Sequence, residues 1–190
     1  MDILEAVRER RAVRDYKDRT PSELVIRSLI ETAVWAPSGV NLQPWCVVVV
    51  DDPVVLAAYS SESNAVMVGQ LDVHPQHADM VEMLNSPKFN IFYNASVLVV
   101  IRATTPDELA VKACCLAAQT LMLAAHADGL GSCWIGFSEA WLNTPAARAK
   151  LGIPTKFRPV APIIVGYPKG PTPATERRPP DIRHIVGGNS

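Results

Sequence analysis

Arg10, Arg11 and Arg14 follow a short apolar-patterned segment, Ile3-Leu4-Glu5-Ala6-Val7, near the start of the chain. If a helix persists through them, Arg10 and Arg14 share one face, four residues apart. If the chain turns extended at Ala12-Val13, alternation sets Arg10, Ala12 and Arg14 on one side. Either geometry concentrates guanidinium groups, which grip phosphate and planar carbonyl edges in forked pairs. A solvated basic patch is the plainer alternative, and on these residues alone it stays open. Nucleic acid is disfavoured, because the net charge is −1 and no basic stripe recurs along the chain.

Two further stretches carry residues suited to a ligand. Ala36-Pro37-Ser38-Gly39-Val40-Asn41-Leu42-Gln43-Pro44-Trp45 brackets a Ser-Gly pair, an Asn and a Gln between prolines, directly before the apolar run Cys46 to Val50. Proline fixes φ, glycine permits positive φ, and Ser and Asn can bond the backbone locally, so this loop is stiff and defined in shape. Stiff loops between a helix and a strand present groups to ligands, although an ordinary connector would read the same way. Downstream, Asp128-Gly129-Leu130-Gly131-Ser132-Cys133-Trp134-Ile135-Gly136 closes one helix and opens a short strand. Gly129 is explained as a helix stop. Gly136 sits where a missing side chain would let backbone approach a flat ligand.

Together these stretches resemble the FMN-dependent nitroreductase family. Its Arg-Arg-Ser-x-Arg start reads here as Arg10-Arg11-Ala12-Val13-Arg14, and its Ala-Pro-Ser-x-x-Asn-x-Gln-Pro-Trp loop as Ala36 to Trp45. Its Gly-Leu-Gly-x-x-Trp-Ile-Gly turn is Gly129 to Gly136. Its Ile-Gly-Tyr-Pro strand end is Ile164-Val165-Gly166-Tyr167-Pro168, and its basic tail is Thr175-Glu176-Arg177-Arg178-Pro179. The motifs span nearly the whole chain in the family's order.

The resemblance implies an α+β fold with a central, mostly antiparallel sheet flanked by helices, in an intertwined homodimer. It implies one FMN-binding domain over residues 1–190, with 168–190 a C-terminal extension packed on the partner subunit. Arg10 would hold the FMN phosphate with Arg177, Arg11 assisting, and Ala12 would contribute through its backbone, since the family's serine hydroxyl is missing. Arg14 would face the N1/O2 edge of the flavin and favour its reduced anion. Pro37, Ser38, Gly39 and Asn41 would reach the flavin from the other subunit. The backbone N–H of Ile135 would donate to N5, Gly136 would leave room for the ring, and Trp134 would adjoin it. Arg14, Ile135 and Gly136 are thus the expected catalytic positions. Lys88 and Asn90 are candidates for the pyrimidine edge, and residues 60–85 for the cover of the substrate face. The implied reaction is ping-pong hydride transfer from NAD(P)H through flavin N5 to a nitroaromatic, quinone or similar flat acceptor. Reductive dehalogenation, flavin breakdown, and flavin binding without turnover are the alternatives.

The elements that must position these groups are legible in outline. Thr20-Pro21-Ser22-Glu23 reads as a capping box opening a helix to about Trp35. Cys46–Val50 is an expected strand, Pro53–Tyr59 a helix, and Ser96–Ile101 a buried strand. Thr105-Pro106-Asp107-Glu108 caps a helix running to about Asp128. Cys133–Gly136 is a short strand, Ser138–Leu151 a helix, and Val160–Gly166 a last strand. The 106–128 helix is apolar on every face, would be ~35 Å long, and needs enclosure all round, which favours a two-fold interface.

Composition agrees with a globular chain: 190 residues, 48% hydrophobic and 19% charged. No apolar run is long enough for a membrane span, and the N-terminus has no signal-peptide pattern. The four cysteines, at 46, 114, 115 and 133, match no metal or disulfide spacing and read as buried thiols, pointing to a reducing cytoplasm. His74-Pro75-Gln76-His77 has a His-x-x-His spacing but no further ligands nearby. No Gly-x-Gly-x-x-Gly follows a strand, so reduced nicotinamide would be a visiting substrate.

Overall fold

Residues 2–71 and 77–184 are described in a computed structural model of the chain. Four strands form one antiparallel sheet: β1 (Trp45–Val50), β2 (Val97–Ala103), β3 (Gly131–Trp134) and β4 (Arg158–Gly166), in the order β1-β2-β4-β3. The helices are α1 (Ile3–Glu9), α2 (Glu23–Ala33), α3 (Pro53–Leu71), α4 (Ala78–Asn85), α5 (Glu108–Ala127), α6 (Glu139–Leu142) and α7 (Pro145–Lys150). The fold is therefore α+β with an antiparallel sheet, as expected.

β2, β3 and β4 are buried on both faces while the edge strand β1 is only half-buried, and strand alternation sorts the side chains between two cores. Val97, Val99, Ile101 and Ala103 pack with Ala161, Ile163 and Val165 against α2 and α5. Leu98, Val100 and Ile164 turn the other way, with Cys133 and Ile135, onto Leu56 and Tyr59 of α3 and Trp141 and Leu142 of α6. Ile91, Cys133 and Ile135 of this second core also line a pocket with Arg14 and Gly136.

Two expected helices differ in extent. The one starting at Pro53 runs on to Leu71, and its buried residues include Ser60, Ser63 and Asn64, which masked the apolar period that would have marked it. The Ser138–Leu151 helix is instead two helices. Pro145 has no N–H to continue the α6 ladder, and the Thr144 side chain accepts from the Ala147 N–H to start α7 afresh.

α5 is long and apolar enough to cross a membrane by length and composition. Ala110, Ala113, Cys114, Ala117, Ala118, Leu121, Met122 and Ala125 are nonetheless buried in the chain's own core. Its opposite side, with Leu109, Cys115 and Leu116, is exposed.

Candidate functional site

α1 ends at Arg10, whose φ of −55° and ψ of 132° leave the helical region. The chain then runs extended along the end of the sheet. Ala12 bridges Ser132 in parallel, and the Val13 N–H donates to the Ser132 carbonyl at 3.1 Å. Further on, the Lys17 N–H donates to the Tyr167 carbonyl at 2.8 Å, and the Tyr16 hydroxyl to the Val13 carbonyl at 2.7 Å. This lacing decides between the two arginine geometries: the extended one is present.

It also explains two glycines. A Cβ on Gly131 would stand 2.7 Å from Val13 Cβ, and one on Gly166 2.8 Å from the Tyr16 ring. Both are needed for the N-terminal segment to lie close against β3 and β4. Gly136 differs, since nothing lies within 4 Å of where its Cβ would be.

Arg14, Cys133, Trp134, Ile135, Gly136 and Tyr93 line one pocket of about 160 Å³, together with Ile91 and Phe137. Arg10 and Arg177 are not among its lining residues. Partial burial, and then the charge of Arg177, hold the Arg10 guanidinium below the ordinary arginine value. Burial pushes the Cys133 thiol up, while the charges of Arg14 and Arg10 pull it the other way. Cys133 thus marks where the two N-terminal cations meet β3. None of Arg10, Arg14 and Arg177 forms an ion pair among the described residues. Arg14 therefore lines the crevice, and the charge of Arg10 acts on Cys133 within it, with no ion pair to either arginine.

Two expected roles need correction. The Ile135 N–H is not free: it donates to the Pro162 carbonyl at 2.8 Å. The β3–β4 ladder reaches one residue past Trp134, because Pro162 lacks an N–H but keeps an accepting carbonyl. The Gly136 N–H has no partner among the described residues and stands at the exposed start of a 3-10 turn, Gly136–Ser138. Arg11 is likewise committed, its Nη1 donating to the carbonyls of Arg8 and Arg10. It caps the open C-terminal carbonyls of α1 rather than reaching the crevice.

Pro37, Ser38, Gly39 and Asn41 do not join this pocket within one chain. Their loop is braced internally, with the Gln43 N–H donating to Ser38 Oγ at 3.0 Å and Gln43 Nε2 to Asn41 Oδ1 at 3.1 Å. Val40, Asn41 and Gln43 all have positive φ, a strained arrangement for non-glycine residues. The loop carries Val40 outward at 90% exposure, beside Trp35 at 87%. Trp134 is fixed by its Nε1–H, which donates to Glu139 Oε1 at 2.7 Å.

Sequence reasoning missed Tyr93. Asn90 Oδ1 accepts from the Phe92 N–H at 2.8 Å, and the turn it caps leaves Tyr93 at φ 53° and Asn94 at φ 54°. A bulky residue in that region carries strain of roughly 1–3 kcal/mol. The asparagines flanking Phe92-Tyr93 were the available signal, since Asn tolerates such backbone. Asn90 Oδ1 is thus engaged in this turn, and Lys88 lines a different groove, with Asp79, Glu82 and Phe89. His74, Pro75 and Gln76 fall outside the described residues, among which no metal-ligand cluster occurs.

Comparison with known proteins places the fold and the family. The chain is 30% identical to "Putative NADH dehydrogenase/NAD(P)H nitroreductase" of Methanothermobacter thermautotrophicus, over 97% of this chain and 87% of that one. Its fold matches an FMN-bound nitroreductase of Bacteroides fragilis with a TM-score of 0.83 at 23% identity, covering 98% of this chain and 100% of the other. It also matches iodotyrosine deiodinase bound to FMN and 3-iodo-L-tyrosine, with a TM-score of 0.78 at 22% identity, covering 97% and 100%. Residues 7–167, which hold the arginine cluster, the proline-bracketed loop and the Gly136 turn, match the nitroreductase family, and the chain belongs to it.

Proposed function

We infer that the protein is an FMN-dependent oxidoreductase taking reducing equivalents from NAD(P)H and passing them to a small, flat acceptor such as a nitroaromatic or a quinone. The observation that carries this is Arg14, with no ion-pair partner among the described residues, lining a crevice bounded by Trp134, Ile135 and Gly136, while Arg10, itself under the charge of Arg177, acts on Cys133 in the same lining. Like charges held together cost free energy, and a doubly charged phosphate with a polar flat ring is the kind of group that offsets it.

The residues fit FMN. Arg10 and Arg177 would grip the phosphate from the two ends of the chain. Arg14, next to the Cys133 sulfur, would face the pyrimidine edge of the ring and favour negative charge there. Gly136, with a free N–H and open space beside it, replaces Ile135 as the donor toward N5. Ala12 would contribute only backbone, which is already bridged to Ser132. When bound, FMN supplies the two-electron chemistry at N5, first with the nicotinamide and then with the acceptor.

The active unit would be a homodimer. Pro37, Ser38, Gly39 and Asn41 of a second copy would complete the crevice, and the extension from residue 168 would pack on that copy. The exposed apolar residues Trp35, Val40, Leu42, Leu109 and Leu116 provide the surface for such an assembly. The free thiols of Cys46, Cys114, Cys115 and Cys133 fit a reducing, cytoplasmic setting.

The test is the visible spectrum of the purified protein, before and after anaerobic NADH and then NADPH. A yellow protein that bleaches with either one supports the oxidoreductase. A yellow protein that stays oxidised points to flavin binding without turnover. A colourless protein that cannot be reconstituted with FMN removes the reading. Turnover of an iodinated tyrosine in preference to nitroaromatics and quinones would move the reaction to reductive dehalogenation.

A further inference from the structure

Tyr93 combines two features that packing alone does not require. Its backbone lies at φ 53°, where a tyrosine is strained, and its ring lines the same pocket as Arg14 and Gly136. The ring is gripped at its edge by Phe89, with centroids 5.9 Å apart and planes at 85°. The Arg14 guanidinium carbon sits 5.7 Å from the Tyr93 ring centroid, within the range of an attractive contact between a cation and an aromatic face. Arg14 and Cys133 line that pocket together. Strain retained at a ligand pocket implies that the surroundings, and the function, hold the residue there.

We propose that Tyr93 is a positioning residue for Arg14: its ring holds the guanidinium toward the flavin's pyrimidine edge and so sets how strongly the protein prefers reduced FMN. Arg14 is otherwise exposed and has no carboxylate partner among the described residues. Arginine has a long, rotamer-rich side chain, and a free one in water spreads over many directions. The attraction to a ring quadrupole is electrostatic and leaves the charge in place, so Arg14 is oriented without being neutralised. A carboxylate partner would have fixed it equally well while cancelling the field it is there to exert. The Phe89–Tyr93 pair and the strained turn then act as the mount for that cation. This inference rests on the FMN reading above and deepens it.

The experiment compares Tyr93→Phe and Tyr93→Gly, each also in an Arg14→Met background, by the dissociation constants of oxidised and reduced FMN and by the flavin midpoint potential. Glycine suits φ 53°, so removing the ring relieves backbone strain and the fold is kept. Tyr93→Gly is expected to lose about tenfold of the preference for reduced FMN, a fall of ~30 mV for a two-electron couple. Tyr93→Phe, which keeps an aromatic face, is expected to stay within twofold of the parent. With Arg14→Met present, Tyr93→Gly is expected to add nothing, and oxidised FMN, held by its phosphate, is expected to bind all Arg14-containing variants alike. A Tyr93→Gly protein that binds FMN with an unshifted preference overturns the inference, as does an equal shift in the Arg14→Met background. A parent chain that binds no FMN overturns the proposed function and this inference with it.

Discussion

Arg10 and Arg177, separated by nearly the whole chain, stand close enough that the charge of one disfavours the charge of the other. Neither forms an ion pair among the described residues. Two like charges drawn together by a fold are a site for the opposite charge, and several consequences can be measured.

Arg10→Ala is expected to weaken FMN binding at least tenfold. A hydrogen bond to a charged group is worth ~1.5–3 kcal/mol, and 1.4 kcal/mol is a factor of ten. Arg10→Lys should fall between, because it keeps the charge but loses the fork. Titration by flavin fluorescence at two salt concentrations checks both. An Arg10→Ala protein with parental affinity would show that the phosphate lies elsewhere.

The C-terminal segment has little of its own to hold it. After the Lys169 N–H, which donates to the Asp15 carbonyl at 3.1 Å, no backbone hydrogen bond is formed up to His184 among the described residues. The ion pair Arg183–Asp181 lies within the segment itself. An anion between Arg10 and Arg177 would tie it down. FMN is therefore expected to slow trypsin cleavage after Lys169 and Arg177 several-fold, read by mass spectrometry over a time course. Identical cleavage with and without FMN would detach the tail from the site.

The two glycines of the 131–136 turn are expected to behave oppositely. Gly131→Ala drives a methyl group to 2.7 Å from Val13 Cβ. Such overpacking costs roughly 1–3 kcal/mol, at ~2–4 °C of Tm per kcal/mol for a chain of this size. Val13→Ala in the same protein should restore part of the loss, since the two sites share one contact. Gly136→Ala meets no atom within 4 Å and should leave Tm unchanged. If the flavin ring lies over Gly136, that substitution should instead weaken FMN binding and slow reduction. Calorimetry and stopped-flow reduction separate the two effects.

How far the sequence disclosed this site follows from the range of the interactions involved. The proline-bracketed loop and the β strands rest on local chemistry and were readable, whereas the helix starts read from Thr20 and Thr105 fall two residues later, with Ser22 and Asp107 as the caps. Arg10, Arg14 and Arg177 were named because their types and motifs marked them, although the placement of the N-terminal arginines along β3 depends on bridges such as Ala12 to Ser132 that no local pattern encodes. The misassigned donor at Ile135 reflects pairing with Pro162, a contact 27 residues away in sequence. Arg11 looked like part of the cationic group because local sequence cannot tell a capping arginine from a ligand-binding one. Tyr93 was overlooked because a tyrosine in left-handed backbone violates local preference, and local preference is what sequence reading uses.

Glu62 links the helices around the crevice and gives the fold an acid limb. Lys150 Nζ pairs with its Oε1, and Trp141 Nε1 donates to Oε2 at 3.0 Å. The bond to Lys150, aided by the one from Trp141, holds the Glu62 carboxyl below its ordinary value of 4.5. A depressed carboxylate stabilises the fold above its unfolded pKa, and that contribution is lost as pH falls through the folded one. The pair is partly exposed, so its worth at neutral pH is under about 1 kcal/mol. Glu62→Gln should lower the urea midpoint slightly at pH 7 and leave it nearly unchanged at pH 3. Equal losses at both pH values would show that packing, not charge, is at work.

The apolar surface around the loop decides whether one chain is enough. Val40, Leu42 and Leu109 line a shallow cavity of about 170 Å³ with Gly39, Pro44 and Ala110. Leu116, two turns along α5 from Leu109, extends the same exposed stripe. Leaving such a stripe in water is unfavourable by about 25 cal/mol per Å². A second copy laying its own stripe there would remove it and bring Ser38 and Asn41 to the neighbouring crevice. Light scattering is therefore expected to give about twice the chain mass of 20.6 kDa. Leu109→Glu with Leu116→Glu should halve that mass and weaken FMN binding in the same preparation, although neither residue lines the pocket of Arg14. A parent protein of single-chain mass that still binds FMN tightly would mean that the loop serves some other purpose and that one chain completes the site alone.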